Sequence, residues 1–222
     1  MEKRELKDLL YEQVARIGKA VASPKRLELL GLLAQGEKSV EVLAQELSVD
    51  IKLASAHLKA LREARLVSAR KEGKYVVYRL SGGDVAGLWV TLREVAESHL
   101  LELRMALNQM VAEPGTLTQL DRQTLMSRAK RGEVVMIDVR PTEEYELAHL
   151  PFARSMPVDE IASRLAELPK NKDIVAYCRG PFCLFSQEAY QLLSAKGYRI
   201  HKLLDRVSEW QAAGMPLADA LA

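Results

Sequence analysis

Two cysteines, the only ones in a chain of 222 residues, stand five positions apart in Tyr177-Cys178-Arg179-Gly180-Pro181-Phe182-Cys183. The apolar run Asp173-Ile174-Val175-Ala176 leads directly into them. A strand ending in Cys, a short loop with Gly and Pro, and a helix starting at Leu184 aim backbone N–H groups and a helix N-terminus at the sulfur. Those donors, with Arg179 beside the first thiol, favour a thiolate and stabilise anionic sulfur species. A reactive thiol at Cys178 is the first expectation, against the plainer alternative of a small buried hydrophobe. Two cysteines in one loop make no disulfide framework; in a reducing compartment such a pair is catalytic, redox-active or metal-binding.

A second cluster of chemistry is electrostatic. Residues 52–79 carry eight Lys or Arg against two acids, in a chain whose net charge is +2. The segment is thus +6 and the remainder −4, which fits an anionic partner at one face, nucleic acid above all. Within a helix expected over 50–64, Leu58 and Leu61 face inward, while Lys52, Ser55, Lys59 and Arg62 recur every three or four residues on another face. That face suits a major groove, with contacts to phosphates and base edges. Arg70, Lys71 and Lys74 flank a turn and would reach backbone or minor groove. His57 is taken as a phosphate-contact or packing residue rather than a metal ligand.

The elements that must position these groups follow from periodicity. Leu6, Leu9, Leu10, Val14 and Ile17 recur at helical spacing; a second helix begins at Ser23-Pro24 and stops near Gly36. Helices are expected over 39–47 and, capped by Asp50, through Ala64. Leu66 to Arg70 and Tyr75 to Leu80 form a β-hairpin turning at Glu72-Gly73-Lys74. From Asp84 one long helix should run through Leu88, Leu92, Val95, Leu103, Leu107 and Met110. Its stripe is too extensive for one small domain to cover, so the same helix of a second chain is its expected cover. Glu113-Pro114-Gly115-Thr116 breaks the pattern.

Beyond that break, helix (121–131), strand (134–137), short helix (142–147), helix (159–168), strand (174–177), helix (184–196), strand (199–203) and helix (207–213) alternate. This is the pattern of a parallel sheet covered on both faces, with its site at the carboxyl ends of the strands. The domain expectation is 1–112, a linker at 113–118, and 119–222. The charged N-terminus and the absence of an apolar run near ~20 residues point to a cytoplasmic protein without a membrane partner. No cofactor is expected.

Ser55-Ala56-His57-Leu58-Lys59-Ala60-Leu61, Ala64-Arg65-Leu66-Val67 and Glu72 to Leu80 resemble the recognition helix, connector and wing of the ArsR family over about residues 10–108. The resemblance implies an N-terminal α+β winged helix-turn-helix that forms a homodimer on its first and last helices and binds a palindromic double-stranded DNA operator. Many members of the family sense metals. Here no cysteine lies in the 39–47 or 50–64 helices, and His99 with Glu102 is an isolated pair, so no metal site is expected.

Residues 119–222 resemble a rhodanese domain, through Asp138-Val139-Arg140, Glu144-Tyr145, Ala148-His149-Leu150-Pro151-Phe152-Ala153, Met156-Pro157, Tyr177-Cys178, Glu209-Trp210 and Gly214-Met215-Pro216. The resemblance implies a C-terminal α/β rhodanese-like domain with a parallel sheet. In it Cys178 accepts sulfane sulfur as a persulfide, cradled by the loop from Arg179 through Gly180 and Phe182 and served by a small sulfur donor or thiol acceptor. Two departures stand out. Cys183 occupies the position where an Arg is common, and Asp205-Arg206 replaces the usual Gly-Gly. Cys183 at the cradle rim could attack a persulfide on Cys178 or could simply pack behind the loop. Asp138 and Arg140 are read as a buried pair supporting the loop, with a catalytic role as the alternative; Tyr177, His149 and Trp210 are read as packing residues. A phosphatase or arsenate reductase would need a loop closed by an Arg, and position 184 is Leu. The expected function is a transcriptional regulator, a repressor by expectation, that senses or transfers sulfane sulfur. The alternatives are an uncoupled sulfurtransferase tethered to a repressor and a catalytically silent interaction module.

Overall fold

In the computed structural model, which describes residues 3–110, 121–203, 207–212 and 214–218, the chain divides into two units, Met1–Leu92 and Arg93–Ala222. The linker expected at 113–118 and the Asp205-Arg206 pair lie outside the described residues.

The first unit opens with α1 (Lys3–Val21) and α2 (Pro24–Leu33). Ser23 is extended, with φ −157°, and Pro24 starts α2 where its missing N–H has no partner to lose. A two-residue strand, β1 (Lys38–Ser39), precedes α3 (Val40–Glu46) and α4 (Ile51–Glu63). Ser39 Oγ accepts the N–H of Val42, and the Asp50 carboxylate accepts that of Leu53 at 2.8 Å, so each helix has a side-chain cap. Between them Ser48 takes a left-handed φ of 53°, and Val49 N–H closes on Ala44 O at 3.0 Å. That tight turn fixes α3 against α4.

The hairpin follows as β2 (Val67–Glu72) and β3 (Tyr75–Leu80). Two residues join them, and Gly73 has φ 60°, the positive value that a two-residue hairpin turn demands at its first position. β1 adds to the other edge of β3, giving an antiparallel sheet in the order β1-β3-β2. Leu29, Leu30, Leu43, Leu47, Ala54, Leu58 and Leu61 form one core with Val67 and Tyr78 of the hairpin. Hydrophobic burial on this face sets which face of α4 remains in water.

Helix α5 (Gly83–His99) is followed by α6 (Leu101–Met110), in place of the single helix expected. The interruption is confined to Leu100, whose N–H still bonds Ala96 O at 2.8 Å and whose carbonyl accepts from Arg104 at 3.2 Å. The unit boundary falls within α5.

In the second unit α7 (Arg122–Lys130), capped by Asp121, leads into β4 (Val134–Asp138), α8 (Thr142–Leu147), β5 (Ala153–Ser155), a 3₁₀ turn (Leu165–Glu167), β6 (Asp173–Tyr177), α9 (Phe185–Ala195), β7 (Ile200–Lys202) and α10 (Val207–Ala212). The four strands are parallel, in the order β5-β4-β6-β7. Alternate residues enter opposite cores. Val135, Ile137, Ile174, Ala176, Cys178 and Ile200 pack with Ala189 and Leu193 of α9 on one side. Val134, Met136, Val175 and Tyr177 pack with Leu125 and Trp210 on the other. Both faces are covered, as the near-continuous apolar strands require.

Residues 159–168 are not the expected helix. Confined between Pro157 and Pro169, the segment drops Ile161 and Leu168 into the sheet core through short turns such as Glu160 N–H to Pro157 O and Ser163 N–H to Glu160 O. Tertiary burial overrides the helical spacing. Because Leu58 is fully buried at the centre of the first core, Leu58→Ala should cost about 2–5 kcal/mol. A lowered denaturant midpoint for the first unit checks this; an unchanged midpoint would mean that α4 does not anchor that core.

Candidate sulfur site and nucleic-acid face

Cys178 follows the last residue of β6 and is 3% exposed. Beyond it the chain turns back: Cys183 N–H donates to Gly180 O at 2.9 Å, and α9 starts at Phe185, with Leu184 at its cap position. The Cys178 sulfur lies 3.3 Å from Ser186 Oγ in the first turn of α9, 3.6 Å from Cys183 O and 3.8 Å from Gly180 O. A thiolate here gathers several donors. The Cys183 thiol donates first, then the Ser186 hydroxyl and the N–H groups of Gly180 and Ser186, and against the opposing effect of burial they pull the Cys178 pKa down to about 6. The same hydrogen bond, with burial, pushes the Cys183 thiol up, so it remains a protonated donor. Both cysteines are free.

Arg179 is turned to a different task. Its Nη2 and Nε bond the two carboxylate oxygens of Glu144 at 2.6 and 3.0 Å, and its guanidinium stacks 5.1 Å from the Phe185 ring. Glu144 is buried in α8, so the fork ties the cradle loop to that helix through a charge-assisted bidentate pair. Phe182 projects from the loop and is 45% exposed.

Asp138 ends β4 beside Tyr177 of β6. Its carboxylate receives the backbone N–H of Arg140 at 3.1 Å, Nε at 2.9 and 3.0 Å and Nη2 at 2.6 Å, while Nη2 also donates to Ala148 O at 2.7 Å. Both side chains are fully buried. Tyr177 hydroxyl accepts the N–H of Leu150 at 3.0 Å, and Arg140 lies over the Tyr177 ring at 5.9 Å. His149 stacks on Tyr145, and Trp210 is fully buried. These residues pin the strand ends from which the cysteine loop departs.

On α4, Lys52, Lys59 and Arg62 are exposed and Ser55 half-buried, on the side away from Ala54, Leu58 and Leu61, whereas the half-buried His57, three residues after Ala54 and four before Leu61, borders the buried side. Arg70, Lys71 and Lys74 are exposed on the hairpin of the same unit. Arg70 pairs with Glu37, a short contact, and with Glu72 at 3.0 Å, and Arg79 lies 3.7 Å from the same Glu37. Glu37 thus orders two basic side chains of the wing. Ser186, Glu144 and Glu37 are not among the site residues that the sequence predicts. Glu144 stands in the Glu144-Tyr145 motif of the rhodanese resemblance without a role assigned to it, and Ser186 carries a local signal as a hydroxyl in the first turn of the helix that follows the cysteine loop. Among the described residues, no three His, Cys, Asp or Glu side chains gather as a metal site, and no helix is long and apolar enough to cross a membrane.

Since the thiolate is the nucleophile, alkylation of Cys178 by iodoacetamide should rise as pH climbs through about 6 and be level by ~8, where an ordinary thiol of pKa ~8.5 still accelerates. Cys183→Ala removes the largest donor and should move that profile to higher pH, while Cys183→Ser, which keeps an O–H, should move it less. A profile indifferent to both substitutions would contradict the donor role of Cys183. Asp138→Ala leaves the Arg140 guanidinium buried without its partner and should cost about 3–5 kcal/mol in denaturant unfolding; a destabilisation below ~1 kcal/mol would contradict the support role.

Comparison with known proteins matches two stretches of the chain to two families. The family described as Bacterial regulatory protein, arsR family, matches residues 23–69, and Rhodanese-like domain matches residues 121–213. The chain is 42% identical over 211 residues to the HTH-type transcriptional regulator Rv0324 of Mycobacterium tuberculosis, spanning 95% of this chain and 92% of that protein. A sulfurtransferase of Allochromatium vinosum is 30% identical over 103 residues, which cover 46% of this chain and 94% of that protein. The solution structure of the homodimeric winged helix-turn-helix DNA-binding domain of Mb0332 from Mycobacterium bovis, a possible ArsR-family transcriptional regulator, is 45% identical. It covers 46% of this chain and 93% of that chain, with a TM-score of 0.42. Alignment along nearly the whole length of both chains, with the arsR-family match in the unit that carries the basic α4 and the rhodanese-like match in the unit that carries the strand-end cysteine loop, places the protein in the ArsR family of transcriptional regulators, in the form that carries a rhodanese-like domain.

Proposed function

We propose that this regulator binds its operator as a homodimer in the cytoplasm and that its rhodanese-like domain takes up sulfane sulfur as a persulfide on Cys178, a change that alters operator affinity. The observation that carries this reading is the environment of Cys178. A sulfur held as thiolate by a thiol, a hydroxyl and two amides is both a nucleophile toward sulfane donors and a seat for the anionic product. The lowered pKa of the Cys178 thiol lessens the demand for a general base.

The DNA-binding half rests on the exposed Lys52, Lys59 and Arg62 of α4 and the basic hairpin, which together offer phosphate contacts on either side of a groove. Pairing of two chains is supported by Leu6, Leu9, Leu10, Tyr11 and Val14, which form an exposed apolar stripe along α1, and by the exposed Leu92, Val95, Leu101 and Met105 of α5 and α6. Such stripes call for a partner surface. A second reading, sulfur transfer without any linkage to DNA, is supported by the resemblance of the second unit alone to a sulfurtransferase.

Two measurements test the proposal. Treatment of the full chain with polysulfide should block alkylation of Cys178, and reductant should restore it; a thiol that stays fully alkylatable would overturn the acceptor role. Replacing Lys59 and Arg62 with Ala should weaken binding to operator DNA and flatten its salt dependence by about one unit of log–log slope for each phosphate no longer neutralised. Unaltered binding would remove α4 from the interface.

A further inference from the structure

We propose that Cys183 is a resolving nucleophile: it attacks the inner sulfur of a persulfide on Cys178, expels sulfide and leaves a Cys178–Cys183 disulfide, so that the domain reduces sulfane sulfur instead of storing it. The inference rests on the reading of Cys178 as the sulfur acceptor and adds the step that follows.

Three observations converge on it. The turn closed by Cys183 N–H on Gly180 O folds the loop back on itself, and its last residue meets its first through a backbone oxygen at the Cys178 sulfur. The Cys178 sulfur lies 3.6 Å from the carbonyl oxygen of Cys183, and the Cys183 thiol is the leading cause of the lowered Cys178 pKa. Both side chains belong to the same apolar cluster under α9, with Cys178 nearly inaccessible and Cys183 half-buried. An internal thiol held against the reacting sulfur has the advantage of effective concentration over thiols that must enter from solvent.

The step balances. A sulfane donor of the thiol-persulfide class gives its outer sulfur to the Cys178 thiolate and departs as a thiol, leaving Cys178–S–S⁻. The Cys183 sulfur then bonds to the Cys178 sulfur as the S–S bond of the persulfide breaks. That bond's electron pair leaves on the outer sulfur, which takes the Cys183 proton and departs as HS⁻. The two cysteine sulfurs are oxidised and the sulfane sulfur is reduced. Loading Cys178 moves the negative charge outward to the terminal sulfur, which frees Cys183 from donating to a thiolate and lets its proton follow the leaving group. A low-pKa leaving group such as hydrosulfide favours attack at the inner sulfur. A dithiol reductant reopens the bridge and completes the cycle.

The test uses the full chain, reduced, freed of small thiols, kept anaerobic and treated with one equivalent of glutathione persulfide. Wild-type protein should release one equivalent of sulfide, lose two hydrogens in mass and yield a Cys178–Cys183 cross-linked peptide. Cys183→Ser should release none and carry one added sulfur on Cys178, with Cys178 still alkylated before treatment at a pH above the modest upward shift expected of this variant. Wild-type protein that holds the added sulfur on Cys178 with Cys183 still alkylatable would overturn the resolving step alone. Sulfur found on Cys183 without sulfide release would replace it with attack at the outer sulfur. Failure of both proteins to take up sulfur or release sulfide would overturn the acceptor role of Cys178 and this step with it.

Discussion

A thiolate screened from water must be stabilised by donors that the fold itself supplies, because desolvation alone drives a buried thiol toward its neutral form. At Cys178 the donors are the thiol of Cys183, the hydroxyl of Ser186 and the amides of Gly180 and Ser186. Three of these four come from residues beyond Gly180, so the charge on Cys178 depends on how the loop closes onto the start of α9. The lowered pKa of the cysteine follows from a chain that reverses within five residues. Changes that open that turn would relax the thiol toward ordinary behaviour without touching Cys178.

The rest of the second unit serves that closure. β4 and β6 end side by side, and the buried Asp138–Arg140 pair fastens the crossover after β4 to Ala148 O. Arg179, the cation nearest in sequence to the thiol, is neutralised by Glu144 instead of facing the sulfur. The positive charge beside Cys178 therefore acts as a mooring for the loop, and the sulfur anion is held by hydrogen bonds. This division of labour separates rigidity, supplied by two bidentate ion pairs, from reactivity, supplied by neutral donors.

Much of this arrangement was legible in residue order. The inward placement of Leu58 and Leu61, the Asp50 cap, the hairpin turn at Gly73 and the alternation of apolar strands with helices each follow from a local rule of spacing or capping, and each is present. The elements that escaped are those set by distant partners. β1 and β5, two and three residues long, exist only because β3 and β4 offer them an edge, and no periodicity survives in so few positions. Residues 159–168 have helical spacing but are pulled into turns by burial against the sheet. Ser186, Glu144 and Glu37 matter through contacts eight, thirty-five and thirty-three residues away in sequence, so their partners could not be read from their immediate neighbourhood.

In the proposed function the thiol and the basic helix belong to one switch, so the direct test is their linkage. Operator affinity should be measured by fluorescence anisotropy at one fixed salt concentration, because phosphate contacts make affinity strongly salt-dependent. Reduced protein is compared with the same protein after sulfane-sulfur treatment and again after return to reductant. A reversible change of about 5–150-fold, the range a typical allosteric coupling spans, that vanishes in Cys178→Ser is the predicted result. Affinity that stays constant while Cys178 is demonstrably modified would contradict the account and leave two unlinked activities on one chain.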